Sequence, residues 1–204
     1  MRVIPLMVAG LIMAGQAAAG DLPIAPPSPL IEPGGGGIRA TQPLANSFSL
    51  GPLSGNLGYG NDLKKLTKLI GVGRIGDLSK QDDPYVYVCY DIPQTRQRVW
   101  LISSDNTDIG DAVDTITEKS LEPTDPKLGA CPNLPAKYQP LLVDKVLRLG
   151  MRSEDLVKRF GKPGRIAGDW MSFSYPDDGI VHSLVVRLQN GVVVFLDASS
   201  ININ

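Results

Sequence analysis

The dipeptide Asn190-Gly191, set between LVVRL (184 to 188) and VVVFLD (192 to 197), is the feature that most narrows what this chain can fold into. Asn and Gly tolerate the positive φ that a two-residue turn between right-twisted strands requires, and the β-branched flanks favour extended backbone. A hairpin is therefore expected at this point. With a regular two-residue turn, Leu188 faces Val193 and Val186 faces Phe195 on one side, leaving Val185, Arg187, Val192, Val194 and Leu196 on the other. Both sides are mostly apolar, so neither is expected simply to face water.

A second hairpin is read from PYVYVCYDI (84 to 92) and RVWLIS (98 to 103), with a polar turn at Gln94 to Gln97 between them. WMSFSY (170 to 175) supplies another strand, followed by a turn at Pro176 to Gly179. Each strand group is preceded by a short amphipathic helix. In the first, Leu63, Leu66, Leu69 and Ile70 share a face, Lys64, Lys65 and Lys68 point elsewhere, and Gly71 supplies the stop. In the second, Ser153 is a candidate cap, Glu154 and Asp155 suit the positive helix end, and Leu156, Val157 and Phe160 form the apolar side. Gly161 and Pro163 end it.

Setting Leu66 to Gly71 against Leu156 to Gly161 brings Gly73-Arg74-Ile75 onto Gly164-Arg165-Ile166 and Asp77 near Asp169. The expectation is an α+β fold of two tandem helix-plus-antiparallel-sheet repeats, at residues 54–104 and 147–204, joined by a linker at 105–146 that carries Cys131.

Ahead of the repeats, Met1-Arg2, the apolar run Val3 to Gly15 and Ala17-Ala18-Ala19 have the regions of a secretory signal peptide spanning 1–19, with cleavage expected between Ala19 and Gly20. An apolar run of about 13 residues is too short to cross a ~30 Å hydrocarbon core, so no integral membrane span is expected. Residues 20–53, with Pro23, Pro26, Pro27, Pro29, Pro33 and the run Gly34 to Gly37, read as a disordered tether. The expected location is the periplasm or the extracellular medium. Loss of Arg2 with the leader leaves a net charge of about −2, which gives no electrostatic ground for a nucleic-acid partner. In an exported chain the two cysteines, Cys89 and Cys131, are expected to form a disulfide. Closing that loop stabilises by about 4 kcal/mol in the chain-entropy model.

The segment GMRSEDLVKRFGKP, with Gly150-Met151, Leu156 and Gly161-x-Pro163, resembles the Gly-Met-(Ser/Thr)-x-x-x-Val-x-x-x-x-Gly-x-Pro signature of small outer-membrane assembly lipoproteins of the SmpA/OmlA type. It is also similar to the β-lactamase-inhibitor proteins, whose chain holds two helix-plus-antiparallel-sheet repeats. The match is good over 150–197 and weaker over 61–104, where the Gly-Met and Gly-x-Pro elements are missing. The resemblance implies helices packed on antiparallel sheets and action by binding other proteins, with no catalytic residues to carry over. The chain departs from the lipoproteins in having no cysteine at the cleavage point, and nothing in it designates a β-lactamase as target.

Motifs that suggest chemistry have plainer readings. GVGRIG (71 to 76) fits G-x-G-x-x-G, but a helix precedes it and a strand follows, the reverse of a dinucleotide site. DNTDIGD (105 to 111) has Thr107 and Ile109 where a calcium loop needs oxygen donors. Asp82-Asp83 and Asp177-Asp178 sit in turns, where Asp is common. His182, the only histidine, lacks partners at the spacing of a hydrolytic triad or zinc site and reads as a surface or strand-end residue. No catalytic, cofactor-binding or metal residues are assigned. Tyr85, Tyr87 and Cys89 share one strand face and Arg98 and Trp100 another, and Tyr, Trp and Arg are enriched in interface hot spots. The expected function is an exported, non-enzymatic protein-binding module of the bacterial envelope or medium, its partner unidentified, with Tyr85, Tyr87, Arg98 and Trp100 as contact residues. The alternatives are a hydrolase using loop carboxylates and His182, or a structural envelope component.

Overall fold

The computed structural model describes residues 24–29, 40, 44, 47–78, 85–104 and 112–202. In chain order the elements are β1 (Ser47–Leu50), β2 (Leu53–Asn56), α1 (Leu63–Ile70), β3 (Ile75–Asp77), β4 (Tyr85–Ile92), β5 (Gln97–Ser104), β6 (Thr115–Ser120), β7 (Leu141–Val143), α2 (Ser153–Phe160), β8 (Arg165–Ala167), β9 (Trp170–Asp177), β10 (Ile180–Gln189) and β11 (Val192–Asn202). The leader at 1–19, its junction at Ala19 and Gly20, Asp82-Asp83 and the loop 105–111 lie outside the described residues.

The expected α+β fold of two tandem helix-plus-sheet repeats is not what forms. Among the described residues the protein is mainly β, with two antiparallel sheets and two eight-residue α-helices. Eight strands make one continuous sheet in the order β3-β4-β5-β6-β11-β10-β9-β8, and three make a second in the order β2-β1-β7. The reason is β6, drawn from what the sequence reads as linker. It pairs with β5 on one side and β11 on the other, so the two strand groups become a single sheet rather than two units with helices of their own. The supposed tether is also partly structured: β1 and the start of β2 fall inside 20–53.

Local chemistry explains the helices. Asp62 caps α1 by accepting from the Lys65 amide at 3.0 Å, and Gly71 ends it in the left-handed conformation. In α2 the cap position is Arg152 rather than Ser153, and the Ser153 amide donates to the Gly191 carbonyl at 2.9 Å, tying the helix start to the β10–β11 turn. Leu63, Leu66 and Ile70 of α1 and Leu156 and Phe160 of α2 bury against the large sheet, while Leu69 stays exposed.

One irregularity decides which side chains share a face. The β10–β11 turn keeps Leu188 opposite Val193, but the register then shifts, so Arg187 pairs with Phe195 and Val186 with Leu196. A bulge at Val194 inserts one residue and turns the following side chains over. Phe195 therefore leaves the side on which a regular ladder would put it.

Alternation then sorts the large sheet into two faces. The helix face carries Val88, Tyr90, Leu101, Ile116, Leu196, Val186 and Phe173, and lies under α1, α2 and the small sheet. Phe160 of α2 meets Phe173 with ring centroids 5.8 Å apart. These residues join Phe48, Leu50, Leu141 and Val143 in one large apolar core.

Candidate functional site

The opposite face is read off the ladders row by row. One row runs Cys89, Trp100, Thr117, Asp197, Val185, Ser172, and the next runs Asp91, Arg98, Lys119, Phe195, Arg187, Trp170. Its apolar residues do not form one core. Tyr87, Cys89, Trp100, Ile102 and Cys131 cluster at one end, and Trp170, Val185 and Phe195 at the other, with Trp170 and Phe195 edge to face at 5.1 Å. Between them lies a polar strip centred on the β6–β11 junction. Thr117 donates to Asp197 at 2.7 Å, and the Ser183 and Ser199 hydroxyls are 2.6 Å apart. The buried Ser172 hydroxyl, on β9 beyond Val185, makes no hydrogen bond among the described residues. Burial holds the Asp197 carboxyl up at about 6, against the lowering effect of the Thr117 hydrogen bond.

The four residues expected as partner contacts do share this face, but three of them are not accessible. Tyr87, Arg98 and Trp100 are buried and only Tyr85 is partly exposed. Arg98, 1 % exposed, donates to Asp91 through Nε at 2.6 Å and Nη2 at 3.2 Å, and Nη2 also reaches the carbonyls of Pro126 and Lys127. Asp91 accepts from the Gly129 amide at 2.6 Å and the Cys131 amide at 3.4 Å. A buried guanidinium and carboxylate satisfied in this way fasten the 121–134 loop to the sheet. The Cys89–Cys131 disulfide, with Cα atoms 5.6 Å apart, fastens the same loop beside them. Arg98 is thus a structural anchor rather than a contact residue.

Trp100 is covered by the chain's own N-terminal segment. Its indole N–H donates to the Ile24 carbonyl at 2.8 Å, and the Ile24 side chain packs on the Tyr87–Trp100 cluster. Pro27 and Ser28 then line a cleft of about 110 Å³ with Lys119, Glu122, Trp170 and Arg187. Four residues of proline-stiffened chain reach about 12 Å. Two to three strand spacings amount to about 10–14 Å. The segment therefore runs across the strands, from β5 past β6 to the cleft over β11 and β10, which Trp170 of β9 borders. Prolines lack the N–H that a strand ladder needs, which leaves carbonyls and side chains to make the contacts. Farther along, the Ala40 amide donates to the Ser174 carbonyl of β9 at 2.9 Å, and Ala40 and Leu44 are buried in the core of the helix face. Residues within the expected tether thus touch one sheet face, a strand edge and then the other face.

Charge borders the cleft. Arg187 donates to Asp169 at 2.8 Å and to Glu122 at 2.9 Å, and Lys119 to Asp125 at 2.6 Å. These contacts hold the Asp169 and Asp125 carboxyls below their ordinary range.

His182 is on the helix face, not at the surface. It is 4 % exposed, with Nδ1 2.7 Å from the Ser200 hydroxyl, and burial lowers its pKa while the charge of Asp177 opposes that shift. Among the described residues it makes no hydrogen bond to a carboxylate, and no group of His, Cys, Asp and Glu there is arranged to hold a metal ion. No helix in the described residues is long and apolar enough to cross a membrane. Comparison with known proteins yields no significant match to a family model, a curated protein or a solved structure.

Proposed function

We propose that this chain is an exported, non-enzymatic protein-binding module of the bacterial envelope or medium, and that it recognises its partner through the aromatic face of the large sheet. One observation carries the reading. This face already holds polypeptide, with a tryptophan donor on the Ile24 carbonyl and a charged, aromatic cleft around Pro27 and Ser28. Separated aromatic anchors with a polar border are the make-up of protein-recognition surfaces. The disulfide fits an oxidising compartment, as does the leader-like start of the chain. A hydrolase acting through His182 is the second reading. The His182–Ser200 hydrogen bond favours it, and the burial of both residues weighs against it.

Photocrosslinking separates the two. A benzoylphenylalanine at position 122, beside the cleft, is expected to capture a defined envelope or medium protein, while one at position 158, on the exposed side of α2, captures none. Equal capture from both positions, or from neither, counts against recognition at this face. If instead a hydrolytic turnover is found and His182→Ala abolishes it in a folded protein, the enzyme reading replaces this one.

A further inference from the structure

The segment Ile24 to Pro29 lies on the surface assigned above to a partner. We infer that it is an intramolecular stand-in for the partner's own chain, and that the module takes an extended, proline-bearing peptide with an aliphatic residue three positions before the second of two adjacent prolines. The inference rests on the protein-binding reading and adds the chemistry of the ligand and the control of access to it.

The seat is built from fixed parts. Trp100 presents an indole donor with no acceptor function, which suits a carbonyl on a segment short of amides. Ile24 fits beside Tyr87 and Cys89, a rigid platform because the disulfide and the Asp91–Arg98 pair hold the strands and the 121–134 loop beneath it. Three to four residues on, the cleft at Trp170 and Arg187 receives Pro27 and Ser28. Proline-rich segments suit such sites because their backbone is stiffened before binding and loses little freedom on docking. The spacing between the two aromatic clusters sets the spacing of the two anchors on the peptide. The polar strip between them, with the Thr117 hydroxyl and the Asp197 carboxylate, is the floor over which such a peptide passes.

Because the segment is tethered, a free peptide competes against an effective concentration of about 1 mM. If the seat holds the segment with an intrinsic Kd near ~100 μM, removing it strengthens binding in trans about ten-fold. Both tryptophans of the chain, Trp100 and Trp170, sit on this face, so their emission reports occupancy without a label.

The experiment compares the full chain with a variant lacking residues 20–29 and with Ile24→Asp, which keeps the length of the chain but places a charge against Trp100. The probe is the synthetic peptide GDLPIAPPSPLIEP. Both variants are expected to fold with the disulfide formed and to show red-shifted tryptophan emission. The peptide is expected to reverse the shift saturably, with an affinity at least ten-fold tighter than for the full chain, and a peptide with Pro26 and Pro27 replaced by Gly is expected to bind at least ten-fold less well. Folded variants that ignore the peptide, or that bind the glycine version equally, overturn the inference. If the peptide fails while position 122 still crosslinks a partner, the stand-in is wrong and the binding module survives. Peptide binding without any crosslinked partner supports the seat and removes the module reading.

Discussion

The two faces of the eight-stranded sheet are built from the same strands and solve different problems. On the helix face, side chains from β4, β5, β6, β11, β10 and β9 merge with α1, α2 and the small sheet into one apolar core. On the aromatic face, the apolar residues stay in two clusters, divided by Thr117, Asp197, Ser183 and Ser199. A face meant only for packing has no need of a polar strip, since polar groups bury well only when partnered. The contrast teaches that burial is not a sufficient sign of core. Trp100 is as inaccessible as Leu101 beside it in sequence, yet part of its cover is a chain segment that forms no ladder with the strands.

The comparison can be broken by mutation. The largest losses are expected where the sheet is fastened: Phe173→Ala on the helix face should cost about 3–5 kcal/mol as an aromatic cavity. Arg98→Ala on the other face should cost a similar amount, about 3–5 kcal/mol, because Asp91 is left buried and unpaired. Urea denaturation measures both, and a loss below about 1 kcal/mol for Arg98→Ala would remove its anchoring role. Next, replacing Cys89 and Cys131 together by Ser should cost up to about 4 kcal/mol and free the 121–134 loop for proteolysis before the rest of the sheet.

A smaller effect depends on pH. Glu118 lies on the helix face, buried, and burial lifts its carboxyl to about 8 despite a hydrogen bond from the Leu149 amide; Asp197 on the other face is lifted to about 6. An acid raised in the folded state binds more protons folded than unfolded, so stability falls as pH rises. That contribution is complete below the ordinary carboxylate range and is lost as pH climbs through about 6 for Asp197 and about 8 for Glu118. Glu118→Gln should therefore stabilise the protein at pH 8 by a few kcal/mol, on the order of 1.4 kcal/mol for each pH unit of the shift, and flatten the decline between pH 6 and 8. Unfolding midpoints at pH 5 to 8 give the test, and a wild-type protein most stable at pH 8 would contradict it.

The smallest expected stability change sharpens the comparison most. Trp100→Phe keeps an aromatic ring in the cluster with Tyr87 and Ile102 but deletes the N–H to Ile24, costing about 1 kcal/mol or less. Yet it should loosen the N-terminal segment, seen as faster cleavage near residues 24–29 and a shift in Trp170 emission. The same change made on the helix face, Phe173→Leu, should lower stability without exposing that segment.

What the sequence made legible was local. The two hairpins announce themselves through alternation and turn residues, and both helices through their breakers Gly71 and Gly161. The Cys89–Cys131 bond is expected from two cysteines in a chain read as exported, and it forms. What stayed hidden was non-local. TITEKS (115–120) is too polar and short to stand out as a strand, and becomes central only because β5 and β11 flank it. The bulge at Val194 changes one residue of register and with it the side on which Phe195 lies, which no alternation count detects. Arg98 and Trp100 were legible as a pair on one face, but their burial depends on a loop and a segment 76 residues away in the chain. Ile24 to Pro29 has the composition of a linker, and its order comes from the surface beneath it rather than from any propensity of its own.

The β6–β11 junction joins stretches of chain 80 residues apart at Thr117 and Asp197, and the aromatic clusters stand on either side of it. The N-terminal segment therefore works as a clamp over a joint. Whatever took its place would have to brace the two halves of the sheet as well as fit them, so occupancy should register as stiffness: slower amide exchange along β6 and β11, well away from any atom the ligand touches.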